Sequence, residues 1–288
     1  MEKLIHYRRW WSALLPIGLA LLLIAIIATQ NRLTIHKEAV TLRMGPGLTY
    51  QPLKHQAATE KVRLIGQSHN WYKLLLGDHQ VVWAPAWRVN HQTKVAPGNA
   101  LSEATIVIDA GHGGTDVGAE HVADSKQAKY MEKTYTLQMA QRVAAKLRAQ
   151  GARVIMTRTD DHFVDLKPRP QVAERVKADA FISFHFDSSP HANEGSGMTT
   201  YYYHQGASKT LATLVNHELT PLPLANLGID FGDFLVIRDN TRPAILCEMG
   251  YINTKRDFKQ IKSARYQDQA ATQIVKGVNR FCQVRAGK

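Results

Sequence analysis

Apolar residues fall into three regimes along this chain, each with its own period. The first is one continuous run from Trp10 to Ala28, broken only by Ser12, Pro16 and Gly18. About 19 such residues suffice for a helix to cross a bilayer. The second regime, from about 33 to 92, has no long helical period. Short stretches such as Val62-Arg63-Leu64-Ile65, Trp71 to Leu76 and Val81-Val82-Trp83 are cut by turn signals at Gly45-Pro46-Gly47, Gly66 to Asn70 and Gly77-Asp78. Many short strands in so small a segment predict an all-β barrel. In the third regime, from about 105 onward, wholly apolar runs alternate with stretches of helical period. Residues 105–109, 153–157, 180–184, 198–203, 234–237 and 244–248 read as strands. Between them, Met139, Val143 and Leu147 recur at i, i+4 and i+8 beside Ala140 and Ala144, and Gly151 closes the pattern. That predicts a helix over 133–150, and weaker patterns predict helices over 172–177, 209–219 and 266–281. The alternation implies an α/β domain with a largely parallel central sheet flanked by helices.

Five segments follow from these regimes: a basic cytoplasmic stub (1–9), a transmembrane signal anchor (10–30), the small β domain (33–92), a linker around Pro97-Gly98-Asn99 (93–104) and the α/β domain (105–288). Lys3, Arg8 and Arg9 precede the apolar run and only Arg32 closely follows it, which puts the N-terminus in the cytoplasm. A leader-peptide cleavage site wants two small residues two positions apart, and Ile26 spoils the register ending at Ala28. An uncleaved, single-pass anchor is therefore expected over cleaved secretion, with the later domains outside the cell on the wall side. The formal net charge of +12 is compatible with nucleic acid, an anionic membrane or an anionic extracellular polymer. An extracellular location argues against nucleic acid and for a wall polymer. Two cysteines, Cys247 and Cys282, make neither a disulfide scaffold nor a zinc knuckle.

The chemistry concentrates where apolar runs end. Ile106 to Ala110 leads into Gly111-His112-Gly113-Gly114, and Ala180 to Phe184 leads into His185. Ligands of open α/β sheets bind outside the carboxyl ends of the strands, so both histidines reach one sheet edge. Glu132 opens the 133–150 helix, where the helix dipole favours an acid. Glu248 ends the apolar run Ile245-Leu246-Cys247, and a carboxylate there needs a partner or a catalytic reason. Two His and one carboxylate leave a fourth zinc position open, the ligand count of a hydrolytic site. A second carboxylate can then act as base. Asp109 and Asp116 are near enough in sequence to orient an imidazole.

Taken in order, these stretches resemble the type-3 family of N-acetylmuramoyl-L-alanine amidases, zinc enzymes of bacterial cell walls. Ile106 to Ala119 is similar to the family's first strand and glycine-rich turn, and Met131-Glu132-Lys133 to its helix start. Val154 to Asp161, Phe181 to Asp187 and Pro243 to Asn253 match its later strand ends. The resemblance implies that His112, Glu132 and His185 bind Zn2+ and that Glu248 is the catalytic carboxylate. It further implies that the substrate is the amide between N-acetylmuramic acid and L-alanine in peptidoglycan, cut in wall remodelling or lysis. Pro168 and Pro170, flanking Arg169, depart from the family's helix and shift its expected start. Asp187, where many members have Asn, is either a substrate contact or only a loop acid. Arg238 is either a contact for a substrate carboxylate or phosphate, or a solvated charge. The segment 33–92 resembles a bacterial SH3-like (SH3b) domain through Leu42 to Gly47, Trp71 to Leu74 and Val82-Trp83-Ala84. Thr41, Asn70 and Val82 depart from the residues usual there. The resemblance implies a module that helps hold the wall.

Overall fold

The computed structural model describes residues 14, 16–22, 31–94, 99–121 and 130–287. The expected stub at 1–9 and most of the anchor at 10–30 lie outside the described residues. Among those described, no helix is long and apolar enough to cross a membrane. The linker expected at 93–104 is described except for 95–98, and Ala100–Glu103 forms a 3-10 turn with Ala100 and Leu101 buried. The chain divides into two compact units: a smaller one ending at Thr93, and a larger one that begins at Lys94 and takes in Gly47–Gln51.

The smaller unit is a four-stranded antiparallel sheet of β1 (Arg32–His36), β2 (Thr59–Ser68), β3 (Trp71–Leu75) and β4 (Val81–Pro85), in that order, closed by the short helix α1 (Ala86–Asn90). Alternation turns Ile35, Val62, Leu74, Val82 and Ala84 into one core with Leu42. A register shift between Leu64 and Gly66 bends β2, the kink that a bulge introduces.

The larger unit runs β5 (Thr105–Ala110), α2 (Glu132–Ala149), β6 (Arg153–Met156), α3 (Pro168–Val176), β7 (Ala180–Asp187), β8 (Met198–Tyr202), α4 (Ala207–Leu219), β9 (Asn226–Phe231), α5 (Leu235–Arg238), β10 (Ala244–Tyr251), α6 (Lys255–Ile261) and α7 (Ala264–Arg285). Its six strands form one mixed sheet in the order β6-β5-β7-β10-β8-β9. Every neighbouring pair is parallel except β10 with β8. Residues of opposite parity along β5, β7 and β10 serve two different cores. Ile106, Ile108, Ile182, Phe184, Ile245 and Cys247 pack with Met139, Val143 and Leu147 of α2, Leu211 and Val215 of α4, and Ile274 and Val278 of α7. Val107, Phe181, Ala244 and Leu246 pack instead with Ala173 of α3 and with Val236 and Ile237. Asp109, Ser183, His185 and Glu248 continue this second parity. The site is therefore built on the α3 side of the sheet, at the strands' carboxyl ends.

One expected strand is not a strand. Residues 234–237 fall on the single helical turn α5, and the extended segment lies earlier, in β9. A short apolar run has no period to distinguish strand from buried helix. Here consecutive Val236 and Ile237 are both buried, which one helical turn permits. The helix expected at 172–177 begins earlier because Pro168 occupies its first turn, where proline's missing N–H costs nothing. The last helix exceeds its expected 266–281, and the Ser263 side chain accepts a bond from the Tyr266 amide at its start. Cys247 and Cys282 are both buried free thiols.

Candidate functional site

One loop, one strand end and one helix start converge at the carboxyl end of the sheet. His112 follows β5 and His185 lies near the end of β7. Glu132 is the first residue of α2. Suitable ligand atoms of the three lie within 4.8 Å of one another, and the imidazole centroids are 4.9 Å apart. The buried Glu132 carboxylate holds the arrangement. Its Oε1 accepts from the Phe186 amide at 3.0 Å and lies 3.0 Å from His185 Nδ1. Its Oε2 accepts from the Ala119 amide at 2.8 Å and lies 3.0 Å from His112 Nε2. Burial pushes the Glu132 carboxyl up, but the hydrogen bonds and charges of His112 and His185 outweigh it and hold the group well below the carboxylate range. Burial depresses His112, yet Glu132 and then Asp116 raise it overall. Asp116 grips His112 Nδ1 with both oxygens at 2.9 Å, which orients the ring and leaves Nε2 facing the site. A carboxylate between two imidazoles, one of them braced by a second carboxylate, is a donor set suited to a divalent cation.

The turn carrying His112 is unusual in backbone and in support. His112 itself has φ of 60°, a left-handed conformation uncommon outside glycine. A Cβ on Gly111 would sit 2.3 Å from His185 Cε1, and one on Gly118 would sit 2.5 Å from Glu132 Oε2. Glycine at these two positions lets the three side chains meet. Two buried arginines fix the turn from beneath. Arg158 donates to the carbonyls of Ala110, Gly111 and Lys133 at 2.8–3.0 Å. Arg169 donates to those of Ala110 and His112 at 2.8 and 3.0 Å and pairs with the buried Asp109 at 2.9 Å. Thr157 and Ser183 hydroxyls complete Asp109 at 2.6 and 2.7 Å.

Glu248 stands beside this group. β10 pairs with β7 so that Glu248 is in register with His185. The carboxylate is buried, and its Oε2 has no hydrogen-bond partner among the described residues. Burial, then the negative charges of Glu132 and Asp187, push it well above the ordinary carboxylate range. Asp187 ends β7 opposite Tyr251 of β10. Its charge also acts on Tyr201, whose hydroxyl is raised by burial first and then by Asp187 and Glu248.

Comparison with known proteins identifies the family. A family profile described as N-acetylmuramoyl-L-alanine amidase matches residues 106–280. The chain belongs to that amidase family. It is 32% identical over 255 residues to the probable cell wall amidase LytH of Staphylococcus aureus, covering 86% of this chain and 84% of the relative. Among solved structures, the catalytic domain of the amidase CwlV from Bacillus (Paenibacillus) polymyxa var. colistinus is 37% identical with a TM-score of 0.58, spanning 62% of this chain and 97% of that one. An N-acetylmuramoyl-L-alanine amidase from Clostridium difficile 630 is 35% identical with a TM-score of 0.58, over 61% and 94%.

Within this amidase domain, the structure brings four of the sequence-predicted residues together: His112, Glu132, His185 and Glu248. Asp187 borders them. Arg238 does not join them: it lies on α5, its guanidinium bound to Asp233 and Asp239 at 3.0 and 2.9 Å. Asp116 orients an imidazole, whereas Asp109, expected to be able to do the same, is committed to Arg169. Sequence reasoning missed what Arg158 and Arg169 do. Arg158 stands in a stretch that resembles the family and Arg169 between the two prolines that depart from it, but a buried arginine that donates to backbone carbonyls has no sequence signature of its own. It also missed Tyr251, placed beside Asp187 only by strand register.

Proposed function

We propose that this amidase is zinc-dependent and hydrolyses the amide joining the lactyl group of N-acetylmuramic acid to L-alanine in peptidoglycan. The observation that carries the reading is the buried Glu248, with an unpartnered oxygen and a raised pKa, beside a His-Glu-His group. His112, Glu132 and His185 would hold the ion, which when bound supplies Lewis-acid polarisation of the scissile carbonyl and a water of lowered pKa. Glu248 takes a proton from the attacking water as its oxygen bonds to the carbonyl carbon. The same carboxyl then returns that proton to the amide nitrogen as the C–N bond breaks. The products are a lactyl carboxylate on the glycan and a stem peptide with a free L-alanine amine. Asp116 and Glu132 keep the imidazoles aimed, and Arg158 and Arg169 keep the His112 turn from relaxing.

The remaining expectations join this proposal. The apolar run 10–30 anchors the chain in the cell membrane with both units outside. The smaller unit is an SH3-like wall-holding module, consistent with its short antiparallel strands and α1. The +12 charge favours an anionic wall polymer as a second partner.

The test is a digest of purified peptidoglycan by the full chain in non-ionic detergent, with zinc, with chelator, and as Glu248→Ala, read by mass spectrometry. Stem peptides beginning at L-alanine, lost with chelator and in the variant, are expected. Cleavage inside the stem peptide would replace this reading with a zinc peptidase.

A further inference from the structure

The outward face of the smaller sheet carries positive charge that no ion pair among the described residues neutralises. Alternation along β1 and β2 buries Ile35 and Val62 and turns Arg32, Thr34, Lys61 and Arg63 to solvent. The register sets Arg32 directly opposite Arg63, and Thr34 directly opposite Lys61. Like charges in directly opposed positions of a sheet repel and destabilise the pairing. Among the described residues, no acidic residue pairs with Arg32, Lys61 or Arg63. Between these strands and the end of β3 lies a cavity of about 410 Å³. Arg32, Lys61, Arg63 and His79 line it over an apolar floor that includes Val62, Leu75 and Leu76. Its lining has no Asp, Glu, Phe, Tyr or Trp.

We infer that this cavity is a binding groove for a phosphodiester polymer, with Arg32, Lys61 and Arg63 on successive phosphates and His79 at its end. Cations from two strands around a concavity accept a threaded anionic chain. A planar lipid surface would instead meet projecting groups. With His79 as the one ring in its lining, the groove lacks the row of aromatic side chains on which successive bases stack, which argues against nucleic acid. Lys61 and Arg63, two residues apart on β2, stand about 7 Å apart, a spacing that phosphates joined by a three-carbon polyol match when extended. The guanidinium fork suits phosphate oxygens taken two at a time. Anion binding would also relieve the Arg32–Arg63 repulsion. The inference rests on the anionic-polymer partner proposed above and gives that contact its residues. It does not depend on the metal site.

The experiment measures binding of the full chain, in non-ionic detergent, to lipid-free poly(glycerol phosphate) across a salt series. Inorganic phosphate and phosphatidylglycerol/phosphatidylcholine vesicles are parallel probes. The wild type is expected to bind the polymer, more weakly as salt rises. Lys61→Ser with Arg63→Ser is expected to bind at least tenfold more weakly, with a shallower salt dependence and an unchanged rate on polymer-free peptidoglycan. Its melting temperature should hold or rise, because repulsion has been removed. Thr34→Glu guards against misfolding of that variant: it supplies Lys61 with a cross-strand partner and should weaken polymer binding while the fold is kept. Equal polymer affinity in the wild type and both variants would overturn the groove and leave the polymer reading standing. Binding to vesicles but not to polymer would overturn both and leave the amidase reading untouched.

Discussion

Two buried carboxylates sit on the same face of the same sheet and live in opposite circumstances. Asp109, at the end of β5, is inaccessible to solvent and fully engaged: Arg169 pairs with it at 2.9 Å, and Thr157 and Ser183 donate to it. Glu248, on β10, is also buried, yet one of its oxygens has no partner among the described residues and the like charges of Glu132 and Asp187 act on it. A buried charge without a partner is costly, so a fold evolved for stability alone would not keep Glu248 there. The contrast separates an acid that holds the site up from one that works in it. It also explains the direction of Glu248's pKa, since desolvation and like charge both favour the protonated form.

The comparison breaks most decisively if the working acid turns out to be structural. Glu248→Gln keeps shape and removes the base. It is expected to lower kcat by about a thousandfold, within the span general-base loss usually covers, with the melting temperature held or raised. A matching loss of stability would contradict the assignment. The reverse substitution acts on the holding acid. Arg169→Leu leaves Asp109 buried and uncompensated and should cost about 3–5 kcal/mol in urea unfolding. Adding Asp109→Asn should recover part of that. Asp116 is a third kind of acid, half-exposed and bound to an imidazole. Asp116→Asn is expected to weaken zinc affinity by about 10–100-fold with little change in unfolding midpoint, measured by competition with a chromogenic chelator.

The smallest expected effect is in pH dependence. Glu248 acts ionised and its pKa is raised, so kcat/KM should fall as pH drops through a value above the ordinary 4.5. Asp187→Asn removes one of the charges that raise it and should move this acid limb to lower pH. A limb that stays in place would detach Asp187 from Glu248.

Much of this was legible in the sequence because strands and their ends announce themselves. The mostly apolar runs before His112, His185 and Glu248 read as buried strands, and the order of parallel strands carried all three to one edge. The i, i+4 and i+8 recurrence of Met139, Val143 and Leu147 gave α2, and all three residues are fully buried. What was not legible depended on pairing between distant segments. Nothing local says that Asp109 meets Arg169 rather than an imidazole, or that Asp187 lies opposite Tyr251. The segment 234–237 misled because four apolar residues carry no period, and β9 was missed because exposed Leu227 and Phe231 break the pattern of a buried strand. The clash of Arg32 with Arg63 was invisible for the same reason: each is an ordinary surface charge until register sets them face to face.

The most direct test measures bound zinc and turnover together, in the wild type and in Glu248→Gln, on one preparation of peptidoglycan. Both proteins should hold one zinc ion per chain, with the variant about a thousandfold slower. A variant that keeps its zinc and its full rate, or a zinc-free wild type with undiminished turnover, would contradict the division of labour between the His-Glu-His group and Glu248.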